Sequence, residues 1–141
     1  MTSNHTVAIS HDDTGKLVLR VALALLLLFH GVSKLIGGVG FVSSMLANAG
    51  LPGFLAYGVY VGEVVAPLMI LFGIATRAGA AIVVINMIVA VLLVHMGDLF
   101  KIAPTGGWAL ELQGMYLFGA VAVALLGAGR FSLGGAAGRF N

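Results

Sequence analysis

Four segments of this 141-residue chain are apolar over about the length that a helix needs to cross a lipid bilayer. The hydrocarbon core of a bilayer is about 30 Å thick, which requires roughly 20 apolar residues in helical conformation. The segments are residues 17–36, 54–74, 78–97 and 108–128. Alternating strands of about ten residues, which are typical of outer-membrane barrels, do not occur. The sequence therefore predicts an all-α integral membrane protein that folds as a four-helix bundle.

The composition favours a membrane protein over a soluble one. Charged residues make up 9% of the chain and hydrophobic residues 60%, whereas a soluble domain has about 25% charged residues. The seven Lys and Arg residues form no basic stripe, so no nucleic-acid partner is expected. The chain has no cysteine, which excludes a thiolate nucleophile, Cys-ligated zinc and a Cys-ligated iron–sulfur cluster. Any redox chemistry would need a bound cofactor or a partner protein.

Helix-breaking glycine and proline residues between the apolar segments predict the domain organisation. We expect a polar, disordered N-terminal tail over residues 1–16, a four-span domain over residues 17–133 and a short C-terminal tail over residues 134–141. Residues 41–49 have the spacing of a short amphipathic surface helix. The tight connection at Thr76-Arg77 makes the second and third spans antiparallel neighbours.

The distribution of Lys and Arg residues predicts the orientation in the membrane. Two of them, Lys34 and Lys101, fall on one side of the bundle. The other five fall on the opposite side, namely Lys16, Arg20, Arg77, Arg130 and Arg139. Because cytoplasmic loops carry an excess of Lys and Arg, both termini are expected in the cytoplasm. The expected location is the bacterial inner membrane, crossed several times.

Polar side chains inside the predicted spans mark the candidate site. A central Asp, Lys or Arg costs about 2.5–3.5 kcal/mol on insertion scales, so such residues need a reason to be there. The rise of about 1.5 Å per residue places Glu63 within roughly 2 Å of the bilayer midplane and His30 about 5 Å from it. The others lie farther towards the same face: Gln113, Lys34, His95 and Glu111. The sequence therefore predicts a polar pocket in the outer half of the bundle.

Within this pocket, Lys34 and Glu63 are the expected ion pair, because neither stays charged easily alone at low dielectric. Glu111 is a second candidate partner for Lys34. An extra carboxylate could hold a proton or contact a histidine. We assign catalysis to Glu63, His30 and Glu111. Ligand binding is assigned to Lys34, Glu63, His30, His95, Asn86, Gln113 and Tyr60.

Several of these residues also have a purely structural interpretation. The Lys34–Glu63 pair could only fix helix register, and His95 could be an interfacial residue. Glu111 could serve its helix N-terminus, which favours acidic residues, and Asn86 could hydrogen-bond to a neighbouring helix. No metal site is expected. Haem held by His30 and His95 is disfavoured, because their depths differ by about 6 Å.

An ordered set of short motifs resembles the DoxX family of small four-helix bacterial membrane proteins. The resemblance covers about residues 17–133. Its motifs are Arg20, Gly31-Val-Ser-Lys34, Ala49-Gly50-Leu51-Pro52, Gly62-Glu63, Gly73-Ile-Ala-Thr-Arg77, Glu111 and Gly127-Ala-Gly-Arg130-Phe-Ser-Leu133.

The resemblance implies a link to redox chemistry. Members of the family include a subunit of an archaeal thiosulfate:quinone oxidoreductase and a mycobacterial membrane protein linked to oxidative stress. By this resemblance Lys34, Glu63 and Glu111 would line a pocket for a quinone or a small oxyanion, with Arg20 and Arg77 near the cytoplasmic face. Without cysteine the chain cannot itself form a persulfide, so a partner protein would supply electrons.

Three functions remain open at this point. The first is a membrane subunit of a quinone-linked oxidoreductase, in which His30, Glu63 or Glu111 transfers protons. The second is a small proton-coupled permease, which would need a homodimer that the Gly58-Val-Tyr-Val-Gly62 motif could support. The third is a non-catalytic scaffold for an oxidoreductase partner, in which the ion pairs serve only folding.

Overall fold

A computed structural model describes residues 11–141 of this protein. The regular secondary structure of these residues is helical, apart from one isolated β-bridge between Ile102 and Trp108. Among residues 11–141, three helices are long and apolar enough to cross a membrane, and a shorter apolar helix packs with them. This confirms the predicted all-α membrane bundle. The helices are α1 (His11–Gly37), α2 (Gly40–Asn48), α3 (Gly53–Phe72), α4 (Thr76–Asp98) and α5 (Glu111–Leu126).

Helix α1 begins earlier than the sequence predicts. The first described residue, His11, is already helical, so the last six residues of the expected tail 1–16 are helical, while residues 1–10 lie outside the described part. Acidic residues in the first turn interact favourably with the helix dipole, and Lys16 Nζ lies 2.7 Å from Asp12 Oδ2 one turn away. Asp13 Oδ1 accepts a hydrogen bond of 3.1 Å from Arg130 N. These contacts explain why the polar start of α1 is ordered.

Helix α5 is shorter than the predicted span 108–128. It has 16 residues, which corresponds to a length of about 24 Å. Trp108 belongs to the preceding loop, where its indole Nε1 donates a hydrogen bond of 2.7 Å to Leu99 O. At the other end, Gly127 has a φ of 76° and ends the helix. The helix is therefore shorter than the predicted span at both ends, because of the loop before it and the glycine after it.

Small and branched side chains from all four main helices form the core. Alanines are fully buried at the helix contacts, which allows the backbones to approach closely as in other membrane bundles. They alternate with larger buried side chains, and the core includes Leu23, Ala24, Leu27, Ala66, Ile70, Ala80, Val83, Ala120 and Val123. Helices α3 and α4 are joined by residues 73–75, where Gly73 and Ala75 have φ values of 69° and 47°. This turn makes the two helices antiparallel neighbours, as predicted.

Residues 127–141 fold back over one end of the bundle, and we call them the C-terminal strap. Leu133 N donates to Phe72 O and Gly134 N to Gly73 O, both at 3.0 Å. The strap covers Arg20, which is 1% exposed and donates through Nη2 to Phe131 O. We call this end, which carries Lys16, Arg20 and Arg77, the basic end. The expected short tail 134–141 is thus part of a packed segment.

Candidate functional site

A cavity of about 700 Å³ lies in the half of the bundle away from the basic end. All five helices contribute to its wall, and most of the lining is apolar. Its polar and aromatic-polar lining residues are His30, Lys34, Glu63, Asn86, His95, Gln113 and Tyr116. Most of the residues selected by depth along the sequence therefore surround one space.

The Lys34–Glu63 pair joins α1 to α3 at this cavity. Lys34 Nζ donates to Glu63 Oε2 at 2.5 Å. The Glu63 side chain is 9% exposed and that of Lys34 is 26% exposed, so the carboxylate is the more deeply buried partner. Tyr60 does not line the cavity; its hydroxyl donates a hydrogen bond of 3.1 Å to Lys34 O. Tyr60 thereby holds the backbone of α1 at the residue that carries the ammonium group.

A π-helical turn over Val61–Val65 positions Glu63. Ala66 N donates to Val61 O, five residues back, and the next residue, Pro67, has no N–H with which to continue the ordinary helical pattern. Such widened turns occur frequently at functional sites. Proline at this position is the sequence signal for the irregular backbone around the carboxylate.

Gly31 lets α1 approach the same turn. A Cβ atom on Gly31 would lie 2.2 Å from Glu63 O and 2.7 Å from a methyl carbon of Val64. A side chain at this position would therefore collide with the backbone of α3. The close crossing of the two helices at Gly31 brings Lys34, about one turn farther along α1, within reach of Glu63.

Asn86 of α4 faces the cavity beside Gly62. A Cβ atom on Gly62 would lie 2.4 Å from Asn86 Cγ, so the absence of a side chain there makes room for the amide. Within the described residues, Asn86 Nδ2 is buried and has no hydrogen-bond partner. The structural interpretation of Asn86, a hydrogen bond to a neighbouring helix, thus leaves its amide nitrogen unaccounted for. A buried donor without an acceptor is costly, and the residue that carries this donor is part of the cavity lining.

His30 and Tyr116 form a second polar pair, between α1 and α5. Tyr116 Oη lies 3.3 Å from His30 Nε2, and the two rings meet edge to face with their centroids 5.7 Å apart. Tyr116 was not among the residues assigned to the site from the sequence. The signal was its depth in the fourth span, which requires a partner for the hydroxyl.

His95 and Gln113 form a third pair, between α4 and α5, with their Nε2 atoms 3.1 Å apart. His95 ends a second π-helical turn, Val91–His95. On its other side His95 Nδ1 lies 3.7 Å from Asp98 Oδ2, and Asp98 pairs with Lys101 at 2.9 Å. Polar contacts therefore continue from the cavity lining to exposed residues at the end of the bundle.

The structure does not bring Glu111 to the cavity. Its exposed side chain accepts a hydrogen bond of 3.1 Å from Trp108 N through Oε1. Because α5 begins at Glu111 itself, the carboxylate lies in the first turn, where it can accept from a free backbone N–H. The expected convergence of Lys34, Glu63 and Glu111 is thus observed for the first two only, and Glu111 occupies the helix N-terminus considered as its structural alternative.

Within residues 11–141, no group of three or more His, Asp or Glu side chains is arranged to hold a metal ion. What the cavity offers is hydrogen bonding and proton transfer. The lining contains an ammonium group, a carboxylate, two imidazoles, two amides and a phenol.

The sequence model of the DoxX family matches residues 15–96. The chain belongs to the DoxX family. The matched range contains the cavity residues Lys34, Glu63, Asn86 and His95 and ends before α5. The sequence motifs predicted this family over about residues 17–133. The family model matches the part of that range that contains the first three predicted spans.

One curated relative gives a further comparison. The protein named "Putative oxidoreductase CatD" from Bacillus subtilis (strain 168) is 31% identical to this DoxX-family chain over 84 residues. The aligned part is 60% of this chain and 62% of that protein, so the chain spans less than two thirds of the relative's length. No solved structure matches the chain.

Proposed function

We propose that this DoxX-family protein is a quinone-binding membrane subunit of a redox system in the bacterial inner membrane. The observation that carries the proposal is the cavity of about 700 Å³ with apolar walls and the buried Lys34–Glu63 pair. Pockets for small ligands have roughly this size, about 300–1,000 Å³, and combine apolar walls with a few polar groups. The similarity to a relative whose name contains oxidoreductase supports the redox class.

The donors in the cavity fit the carbonyl oxygens of a quinone. Asn86 Nδ2 is buried and has no partner in the part of the chain that the structure describes, and Lys34 Nζ carries protons beyond the one donated to Glu63. A bound quinone would supply the electron-accepting chemistry. Lys34 and Asn86 would hold its oxygens, while Glu63 and the His30–Tyr116 pair would hold or donate protons beside them.

The proposal includes a partner protein that supplies electrons, because the chain contains no cysteine that could act as a thiol redox centre. It also includes an orientation with the basic end in the cytoplasm, which follows from the distribution of Lys and Arg. The cavity would then lie in the periplasmic half of the membrane, and the contacts from His95 to Asp98 and Lys101 would lead from it to the periplasmic surface.

The Gly58–Gly62 motif gives little support to the alternative of a dimeric permease. Gly62 faces Asn86 of the same chain. This glycine therefore serves packing within the bundle, and the homodimer stays a separate hypothesis without a contact surface assigned to it.

Quinone binding can be tested on the full chain reconstituted in phosphatidylcholine vesicles. We expect the wild-type protein to bind an isoprenoid quinone, and Glu63→Gln to weaken binding about tenfold or more, because the Gln side chain cannot carry the charge that holds Lys34. Glu111→Gln is the matched control, since it removes a carboxylate outside the cavity. A wild-type protein that carries no quinone and takes up none when it is added would overturn the proposal.

A further inference from the structure

We infer that the ligand of this cavity reaches it sideways from the lipid, through a gap between α3 and α4, and is held with its polar end at Asn86 and its apolar chain in the gap. This inference rests on the proposed function and specifies the ligand class: a quinone with a long apolar chain rather than a water-soluble carbonyl compound.

The walls of the gap are also part of the outer surface of the bundle. Ile85 and Leu92 of α4 line the cavity and are 61% and 59% exposed. Val61 and Leu55 of α3 line it from the opposite side and are also exposed. In a bilayer, exposed apolar residues at this depth contact acyl chains. The same side chains therefore border both the cavity and the lipid.

The packing between α3 and α4 explains where the gap begins. Towards the basic end the helices touch closely, because a Cβ atom on Gly79 would lie 3.0 Å from Ala66 O and 3.0 Å from Met69 Cβ. The Gly62–Asn86 contact is a second close approach, farther from the basic end. The π-helical turn Val61–Val65 contains Gly62, and α4 has a second π-helical turn, Val91–His95, beyond Asn86. The cavity lies between Leu55 and Leu92, which line it from the parts of α3 and α4 farther from the basic end. Asn86 therefore lies in the deeper part of the cavity, one helical turn from Ile82, which also lines it.

Helix α2 covers the cavity at the end of the bundle away from the basic end. Phe41, Val42, Met45 and Leu46 of α2 all line the cavity, and Leu46 is buried. An apolar roof of this kind disfavours passage of a polar solute from the aqueous side. The sideways gap between two apolar walls suits an isoprenoid chain instead.

The amide nitrogen of Asn86, which has no partner among the described residues, supports one direction for such a ligand. Nδ2 needs an acceptor, and a carbonyl oxygen supplies one without bringing a charge into the membrane. The opposite end of the ligand then points away from Asn86, along the apolar walls and into the lipid. A head group at Asn86 and a chain between Val61 and Ile85 satisfy both requirements.

A bulky residue in the gap tests this geometry. Ile85→Trp places an indole at the opening, whereas the matched control Ile88→Trp alters a residue of the same helix that is 45% exposed and does not line the cavity. Binding to the full chain in phosphatidylcholine vesicles is measured for two probes: a benzoquinone without an isoprenoid chain, and the same head group with a long isoprenoid chain. Val61→Trp repeats the test from the α3 wall.

We expect Ile85→Trp and Val61→Trp to weaken binding of the long-chain probe about tenfold, since the lost burial of about two CH₂ groups already has this effect. Binding of the chain-free probe and both affinities of Ile88→Trp stay close to wild type. If both gap variants leave long-chain binding unchanged, or weaken both probes equally, the side opening is wrong while quinone binding stands. A wild-type protein that binds neither probe overturns the proposed function as well.

Discussion

The side chain of Asn141 is bonded to the first residue of α4, Thr76, across 65 positions of sequence. Asn141 Oδ1 accepts a hydrogen bond of 2.8 Å from Thr76 Oγ1 and one of 3.2 Å from Thr76 N. The first N–H groups of a helix have no partner within it, so an amide from the C-terminal strap serves as the cap of a membrane helix. Arg77 adds two contacts, from N to Phe140 O at 2.8 Å and from Nε to Asn141 O at 3.1 Å.

Asn141→Ala is expected to lower the free energy of unfolding by about 1–2 kcal/mol, the usual cost of losing a helix cap. Thermal unfolding of the full chain in detergent, followed by circular dichroism, measures the change. Arg139→Ala, an exposed residue of the same strap, is the control and should unfold like wild type. An Asn141→Ala protein as stable as wild type would show that the strap does not stabilise α4.

Gly31→Ala should destabilise the protein by about 1–3 kcal/mol, because the added methyl group overlaps the backbone of α3 at Glu63. The helices must separate, which lengthens the Lys34–Glu63 contact and should also weaken quinone binding. Gly15→Ala tests the same substitution in α1 where no atom of residues 11–141 lies within 4 Å of the new Cβ, and we expect it to be neutral or stabilising. Equal unfolding temperatures for the two variants would contradict the close crossing at Gly31.

The Lys34–Glu63 pair separates the redox function from the scaffold alternative. Lys34→Met alone leaves a carboxylate at a largely buried site and should cost up to about 3–5 kcal/mol of stability. Lys34→Met combined with Glu63→Leu replaces the pair by apolar side chains and should restore most of that stability. We expect the double variant to fold yet bind no quinone. A double variant that folds and keeps full function in cells would favour the scaffold.

Asn86→Leu should have opposite effects on stability and binding. Leucine has the branching of asparagine and removes a buried donor that has no partner among the described residues, so the unfolding temperature should stay equal to wild type or rise. Loss of the same donor should weaken quinone binding about tenfold. In the control Gln113→Leu the removed amide has a partner in His95, and stability should fall. If Asn86→Leu is clearly less stable than wild type, the amide has a structural role instead.

The positions of the polar residues along the spans were sufficient to predict most of the site. Counting residues from the ends of the apolar segments puts Lys34 and Glu63 in the same half of the bundle, and the π-helical turn at Val61–Val65 is too short to change this. The same reasoning placed His30 and His95 in the same half of the bundle. The length of the apolar segments alone is enough to predict the helices α1, α3 and α4, because each helix is close to the length that a membrane requires.

The start of α5 and the position of Glu111 could not be predicted in this way. They depend on the loop before α5, where the Trp108 indole donates a hydrogen bond to Leu99 O. The contacts of this loop shorten the helix, and no pattern of hydrophobic residues in the sequence indicates them. The strap was missed for a related reason. Its contacts to Phe72 and Gly73 are backbone hydrogen bonds, which leave no signature in the side chains of a Gly-rich segment.

The modest length of α5 has a consequence for the surrounding membrane. Its 16 residues reach about 24 Å, several ångströms less than the average hydrocarbon thickness of about 30 Å. Lipids bordering α5 must compress, or a second hydrophobic protein must shield that side. Where no second protein covers α5, the bilayer should be locally thinned along that flank of the molecule, and neighbouring proteins that prefer thin lipid would be drawn to it.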